Sequence, residues 1–224
     1  MAETAKKCGV KIVAGDTKVV ERGKCQKVYI STCGIGAFRK NSDKLQISSI
    51  KSGERIILSG PIGEHGMCIL NERNHLVLSS IISDCAPLNS LCSDILRTGG
   101  GVRIMRDPTR GGVANTLNEL SRCSGMSMKL YEERIPVKKE VAEFFDLIGL
   151  DPLYAANEGR LLCIVDKNIA DLVLDAMHKN KEGREAVIIG EVIDEHKGIV
   201  YMQNSYGALK IIRTSQGEVL PRIC

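Results

Sequence analysis

Four short stretches of this chain combine residue types that do chemistry with spacings that would let them act together. Gly15-Asp16-Thr17-Lys18 follows the apolar run KIVA. A carboxylate at a strand end can hold Mg2+, and a lysine two positions on points to the same side of an extended chain. That pairing suits a metal–phosphate site; the plainer alternative is a Gly-Asp turn with a surface lysine. RDPTRGGVAN, residues 106–115, places Asp107, Pro108 and Thr109 at the end of a strand and Gly111 or Gly112 at the start of a helix. Amides exposed at that start, with Arg110 beside them, form an anion cradle. Glycines there let a phosphate approach the backbone closely. The alternative is an ordinary N-cap with proline in the first turn, although the string is longer than a cap needs. In AANEGRLLCIV, residues 155–165, Asn157-Glu158-Gly159 precedes a strand that should be fully buried. A glutamate at the mouth of an apolar strand is costly unless it is paired or working, and such a setting suits a general base. A hairpin turn with a solvated glutamate is the other reading. Finally, the sequence closes on Pro221-Arg222-Ile223-Cys224. Arg222 favours the thiolate of Cys224 and the terminal carboxylate opposes it, unless the thiol is only an accident of where the chain stops.

These residues need elements to hold them. Residues 2–9 read as the end of a helix with Gly9 as its stop. Strands are expected at 11–20, running into the Gly-Asp loop, and at 27–38, β-branched at the start and glycine-broken at the end. The turn KSGE, 51–54, marks a boundary between two units. Beyond it ERIILSG reads as a buried strand and PIGEHGMCILNERN as a loop and helix. LNSLCSDILRTGG is a helix whose stripe is Leu88, Leu91, Cys92, Ile95 and Leu96, ended by Gly99 to Gly101. GVRIMRD is a strand, GGVANTLNELSRCSG a helix, SMKLYEE a strand, VKKEVAEFFDLIGL a helix and GRLLCIVD a strand. NIADLVLDAMHKN follows as a helix, and AVIIGEVID, KGIVYMQ and ALKIIR as strands. The short turns suit antiparallel returns, so the expected fold is an α+β sheet covered by helices on one face. GxGxxG after a strand and GxxxxGK[ST] are both absent, which removes the usual marks of dinucleotide and P-loop binding. The domain reading is 1–54, 55–212 and a flexible tail at 213–224.

Composition narrows the classes. At 43% hydrophobic and 26% charged, the 224 residues can bury a core. The 31 Lys and Arg are interspersed with 27 Asp and Glu, and there is no Trp to stack on bases, so a nucleic-acid platform is not expected. No apolar run is long enough to span a bilayer, and Met1 leads into no apolar signal segment. The nine cysteines include no C-x-x-C pair and fit no zinc spacing. A cytoplasmic protein with reduced thiols is expected, most internal cysteines acting as small buried hydrophobes, for example Cys33 and Cys163.

GDTKVVERG, SGPIGEHG, MRDPTRGGVANTLNE, YAANEGRLLCIV and the terminal PRIC together resemble the HypE family of hydrogenase maturation factors. Those proteins are carbamoyl dehydratases within the PurM-like superfamily of aminoimidazole ribonucleotide synthetase and selenophosphate synthetase. The resemblance runs through essentially the whole chain; RDPTRGG is shared more loosely across the superfamily, and PRIC is specific to the HypE family. It implies an α+β, PurM-like fold: a partial N-terminal ATP-binding α/β domain, a complete C-terminal α+β domain and the tail. It also implies a reaction for [NiFe]-hydrogenase maturation. The carbamoyltransferase HypF loads Cys224, ATP with Mg2+ activates the amide oxygen, and loss of phosphate leaves a thiocyanate whose cyanide passes to iron on a HypC–HypD scaffold. By resemblance Cys224 is the carrier, Glu158 the base that removes an N–H proton, and Lys18 the cation that stabilises developing charge. Asp16 would hold Mg2+. Asp107, Thr109, Arg110, Gly111 and Gly112 would lie beside the phosphates, and Asn157 would orient the amide. His65, in GEHG, is a further candidate for that neighbourhood. Tethering would raise the local concentration of the amide.

Full-length members of the family carry a further N-terminal segment with an Asp-rich Mg2+ motif, so 1–54 is expected to be the second half of a sheet. The family forms dimers through that domain, and a homodimer is the expectation here. Two other readings stand beside the dehydratase. One is a non-catalytic carrier and docking module that presents Cys224 without turning over ATP. The other is a small-molecule kinase or synthetase of the same superfamily, such as a phosphate donor to selenide or a thiamine-phosphate kinase.

Overall fold

The computed structural model describes residues 1–25, 28–37, 45–75 and 81–215. They belong to two compact units, Met1–Lys44 and Leu45–Cys224.

In the first unit, helix α1 (Ala2–Cys8) closes on Gly9, whose left-handed φ of 67° turns its amide back onto Ala5 and Lys6 carbonyls. This is the helix and stop expected from the sequence. The strands expected at 11–20 and 27–38 are not formed among the described residues of this unit. Val13 is 90% exposed and Ile35 99%. β-propensity produces a strand only where a neighbour supplies a ladder and a covered face, and these runs have neither among the described residues of their unit.

The second unit is built around β4 (Leu162–Val165), whose four residues are all buried. A strand without alternation is covered on both faces. Its neighbours are β1 (Arg55–Leu58) and β2 (Val102–Arg106), both antiparallel to it. With β3 (Ser127–Tyr131), β5 (Val187–Ile193), β6 (Val200–Gln203) and β7 (Leu209–Ile212) they form a seven-stranded sheet in the order β2-β4-β1-β5-β3-β6-β7. Only β3 and β6 run parallel; the other pairs are antiparallel. Ile56, Leu58, Leu162 and Ile164 pack with Val113, Leu117 and Leu120 of α4 (Gly112–Ser124). The alternate residues Ile57, Cys163 and Val165 pack with α3 (Asn89–Leu96) through Leu91 and Ile95, and with α6 (Ala170–His178) through Val173 and Met177. Helices therefore cover both faces, which corrects the one-face expectation; the unbroken apolar runs Ile56-Ile57-Leu58 and Leu162–Val165 are the physical reason. A third cluster joins α2 (Glu64–Asn74) to α5 (Lys139–Leu147) through Met67, Val141, Phe144 and Phe145.

The compact unit starts before the KSGE turn, because Ile50 is buried and Ile47 packs against the α4 side of the core. At the other end the chain is held beyond β7 as far as Ser215, into the stretch read from sequence as tail. Among the described residues no helix is long and apolar enough to cross a membrane.

Candidate functional site

Asn157 is the joint of the site. A turn at Pro152–Tyr154, capped by the Asp151 carboxylate on the Leu153 amide, delivers Ala155, Ala156 and Asn157 into the interior. The Asn157 side chain is wholly buried. Its amide nitrogen donates to Pro108 O at 3.2 Å and to Ala155 O at 2.9 Å, and its Oδ1 accepts from the Gly63 amide at 2.9 Å. Its backbone N–H also donates to Pro108 O. Its side-chain oxygen and nitrogen and its backbone N–H are thus engaged inside the protein, so it fastens the Glu158 turn to the loop after β2.

Glu158 is half-buried and its backbone N–H donates to Asp84 Oδ1 at 3.1 Å. A side chain on Gly159 would meet Asp84 O at 1.7 Å, so the 81–87 segment lies directly on this turn. The Asp84 side chain is fully buried, 3.7 Å from Arg160 Nε. Arg160 also donates to Pro61 O and pairs with Glu64, whose other oxygen meets Lys138. Burial pushes the Asp84 carboxyl above its ordinary range, against the pull of the Glu158 amide and the Arg160 charge. His65 is fully buried as well, with Nδ1 2.9 Å from Ser83 Oγ. Burial holds its pKa below the ordinary value, partly offset by Asp84. Ser83 donates to the exposed Cys85 thiol, whose pKa burial raises.

The 106–112 loop meets this cluster through Pro108. Arg106 is locked to Glu119 by two bonds, 2.9 and 3.2 Å, which fix the end of β2 on α4. Asp107 and Arg110 are exposed, and Thr109 accepts the Gly112 amide through its carbonyl at 3.0 Å. Gly111 and Gly112 adopt φ of 72° and 61°. A Cβ on Gly112 would lie 2.3 Å from Leu153 O, and one on Gly111 1.9 Å from Asn115 Nδ2. The protein's own packing therefore already requires both glycines, independently of a phosphate.

Residues 51–203 match the AIR synthase related protein, C-terminal domain. The chain is 44% identical to carbamoyl dehydratase HypE of Rhizobium leguminosarum bv. viciae, covering 100% of this chain and 64% of that protein. It superposes on the crystal structure of E. coli HypE with a TM-score of 0.91 at 39% identity, covering 100% of this chain and 68% of that one. The chain belongs to the AIR synthase-related family, on its HypE branch. A HypE structure in complex with ATP matches with a TM-score of 0.87 at 33% identity, covering 100% of this chain and 68% of that one. A HypE–HypF complex matches with 0.86 at 38% identity, covering 96% and 70%. The chain spans 64–66% of the length of the curated HypE relatives it matches.

Within this HypE-family chain, Glu158, Asn157, Asp107 and Thr109 are brought together in the second unit by the Pro108 bonds, and His65 joins them through Asp84. Asp16 and Lys18 lie in the first unit, both exposed, with Asp16 Oδ1 accepting the Thr17 amide at 2.8 Å. Cys224 lies outside the described residues. Among the described residues no group of three or more His, Cys, Asp or Glu could hold a metal. Asp16 supplies one carboxylate, which fits a Mg2+ that takes its other ligands from water and phosphate rather than an all-protein cage. Arg110 and the first turn of α4 fit the phosphates of a nucleotide.

Sequence reasoning missed Glu64, Ser83, Asp84 and Arg160. Asp84 in SDCAP carries no periodicity, and only its burial marks it. It also misplaced the cysteines. Among those described, Cys163 alone is buried, its pKa pushed up to about 12, while Cys25, Cys33, Cys85 and Cys123 are exposed. Cys33 falls in the unpaired run at 28–37, which has no covered face to receive it.

Proposed function

We propose that this chain carries out the dehydratase step of [NiFe]-hydrogenase maturation on its own terminal thiol. The substrate is an S-carbamoyl group on Cys224, and the products are a thiocyanate, ADP and phosphate. The observation that carries the reading is the Asn157–Pro108 joint, which puts a half-buried glutamate beside a loop with exposed Asp107 and Arg110 and half-buried Thr109 at a helix start.

An amide oxygen is a weak nucleophile. Glu158 accepts one N–H proton as the carbamoyl oxygen attacks the γ-phosphorus and ADP leaves. The departing phosphate of the resulting O-phospho imidate takes the second N–H proton with it as the C–O bond breaks, and the C–N bond order rises to a nitrile. Arg110, Thr109 and the α4 start neutralise phosphate charge, and Lys18 stabilises charge developing on the transferred phosphoryl group. Asp16 would bind the Mg2+ that accompanies ATP, which supplies charge neutralisation on the phosphates. HypF as the donor of the carbamoyl group, a HypC–HypD iron scaffold as acceptor, a homodimer and a cytoplasmic setting complete the proposal. The ATP-bound and HypF-bound HypE relatives support the first of these roles and the nucleotide.

The test is direct. Carbamoylated protein is incubated with Mg·ATP, and the C-terminal peptide is weighed by mass spectrometry. Loss of one water, abolished by Glu158→Gln, is expected. Retention of the carbamoyl mass with intact partner binding would replace the dehydratase with a non-catalytic carrier. Survival of ATP turnover on a small molecule after deletion of the last three residues would replace it with a kinase or synthetase.

A further inference from the structure

The chain that leaves β7 is gripped at three successive points by side chains of the site's own scaffold. Asn118 donates to Ile212 O at 3.0 Å. The Tyr154 hydroxyl donates to Arg213 O at 3.0 Å. Asn115 then takes Ser215 at two points, donating to its Oγ and accepting from its backbone N–H, each at 2.8 Å. Asn115 and Asn118 are three apart on α4 and therefore share a face of the helix. Tyr154 belongs to the turn that leads into Asn157 and Glu158. Gly111 is part of the same arrangement, because a side chain there would occupy the place of the Asn115 amide. A segment merely passing over a surface needs none of this. Here the contacts run from Ile212 O, at the last ladder pair of the sheet, to Arg213 and Ser215 beyond it, and they come from the two elements that build the candidate site.

We propose that Asn115, Asn118 and Tyr154 form a clamp that fixes where the C-terminal arm departs, and so sets the effective concentration of Cys224 at the Asp107–Gly112 loop. They are positioning residues: none needs to touch the reacting atoms. The inference rests on the proposed function for its biological purpose, but its physical content is separate. Nine residues follow Ser215. Fully extended they reach roughly 30 Å, so a departure point beside the loop keeps the thiol within range of it. Released back to Ile212, the arm is longer, starts farther along, and loses its direction. Length alone lowers effective concentration by about 1.5-fold, from the −3/2 power of tether length; loss of starting point and direction adds to it.

Two measurements test the clamp, the first independent of any ATP chemistry. In the whole chain carrying Arg110→Cys, the equilibrium of the disulfide between that new thiol and Cys224 is read against a glutathione redox buffer, with the linked peptides identified by mass spectrometry. Adding Tyr154→Phe with Ser215→Pro, which removes the hydroxyl donor and the Ser215 N–H, is expected to lower the effective concentration about 3- to 10-fold. Ser215→Ala, which keeps the N–H bond, lowers it less. An unchanged value overturns the clamp. In the second measurement the same clamp variants are compared in single-turnover dehydration of Cys224 in cis and of a synthetic carbamoylated C-terminal peptide in trans. The cis rate is expected to fall by the same factor while the trans kcat/KM holds within twofold. Equal loss in both would mean a structural defect and sink the positioning role. A wild-type chain that dehydrates neither substrate, yet shows the disulfide effect, retains the clamp and loses the dehydratase.

Discussion

In the second unit Ile56, Ile57 and Leu58 are wholly buried, while in the first Val13, Val19 and Ile35 are between 88% and 99% exposed. The residue types are alike; the surroundings are not. RIIL gains a ladder partner on each side and a helix layer on each face, so its propensity becomes a strand. The run around Gly15-Asp16-Thr17-Lys18 has no such neighbours among the described residues of its unit and forms no regular element. A motif can thus be plain in sequence while its own unit supplies no scaffold for it, and the chemistry assigned to the two units should respond differently to substitution.

The sharpest way to break that contrast is to remove one group from each unit. Glu158→Gln is expected to slow dehydration about 10²- to 10⁴-fold. Lys18→Ala should cause a loss of similar order in single-turnover mass spectrometry, yet leave the melting of the second unit unchanged, because Lys18 is exposed. A large shift in melting for Lys18→Ala would erase the distinction. Gly112→Ala comes next. It forces a side chain into φ 61° and against two backbone carbonyls, and should cost about 2–4 kcal/mol in urea denaturation. Asn157→Ala leaves the buried Gly63 amide without its acceptor and should cost about 1–3 kcal/mol, with Glu158 activity falling alongside.

The smallest effect is a pH dependence. Burial lowers the His65 pKa from its ordinary 6.5, so the native state binds fewer protons than the unfolded chain on the acid side. Its stabilisation is present above 6.5 and is lost as pH falls through the folded value. Asp84 acts oppositely in the carboxylate range: its raised pKa stabilises the native state at the acid end, and that contribution is lost as pH rises through the folded value. His65→Gln should flatten the loss of stability just below neutral pH in chemical denaturation and leave the carboxylate-range slope in place. A slope unchanged by His65→Gln would mean another group carries it.

Much of the second unit could be read in advance. Every helix and strand expected between 55 and 212 is formed, because each carries its own period and its own stop, such as Gly99 to Gly101 after α3 or Gly125 after α4. What could not be read depends on contacts between distant segments. LCIV announces burial but not which helices lie on each side of it. The role of Asn157 as an interior fastener shows only once its partners at 63 and 108 are seen. Asp84 and Arg160 look like surface charges until the 81–87 segment lies on Gly159. The strands expected at 11–20 and 27–38 are missing among the described residues for the converse reason, since their local signals were sound and no described residue of the unit answers them.

The bond from Gly63 to Asn157 spans 94 positions of sequence, and that from Asn157 to Pro108 spans 49. Contacts so far apart close late, after the helices and the neighbouring strands have formed. A nascent or half-collapsed chain consequently holds its glutamate and its phosphate loop as strangers. Under the proposed function the joint works as a maturity check: nucleotide is spent on the cargo only by a molecule whose sheet is already finished.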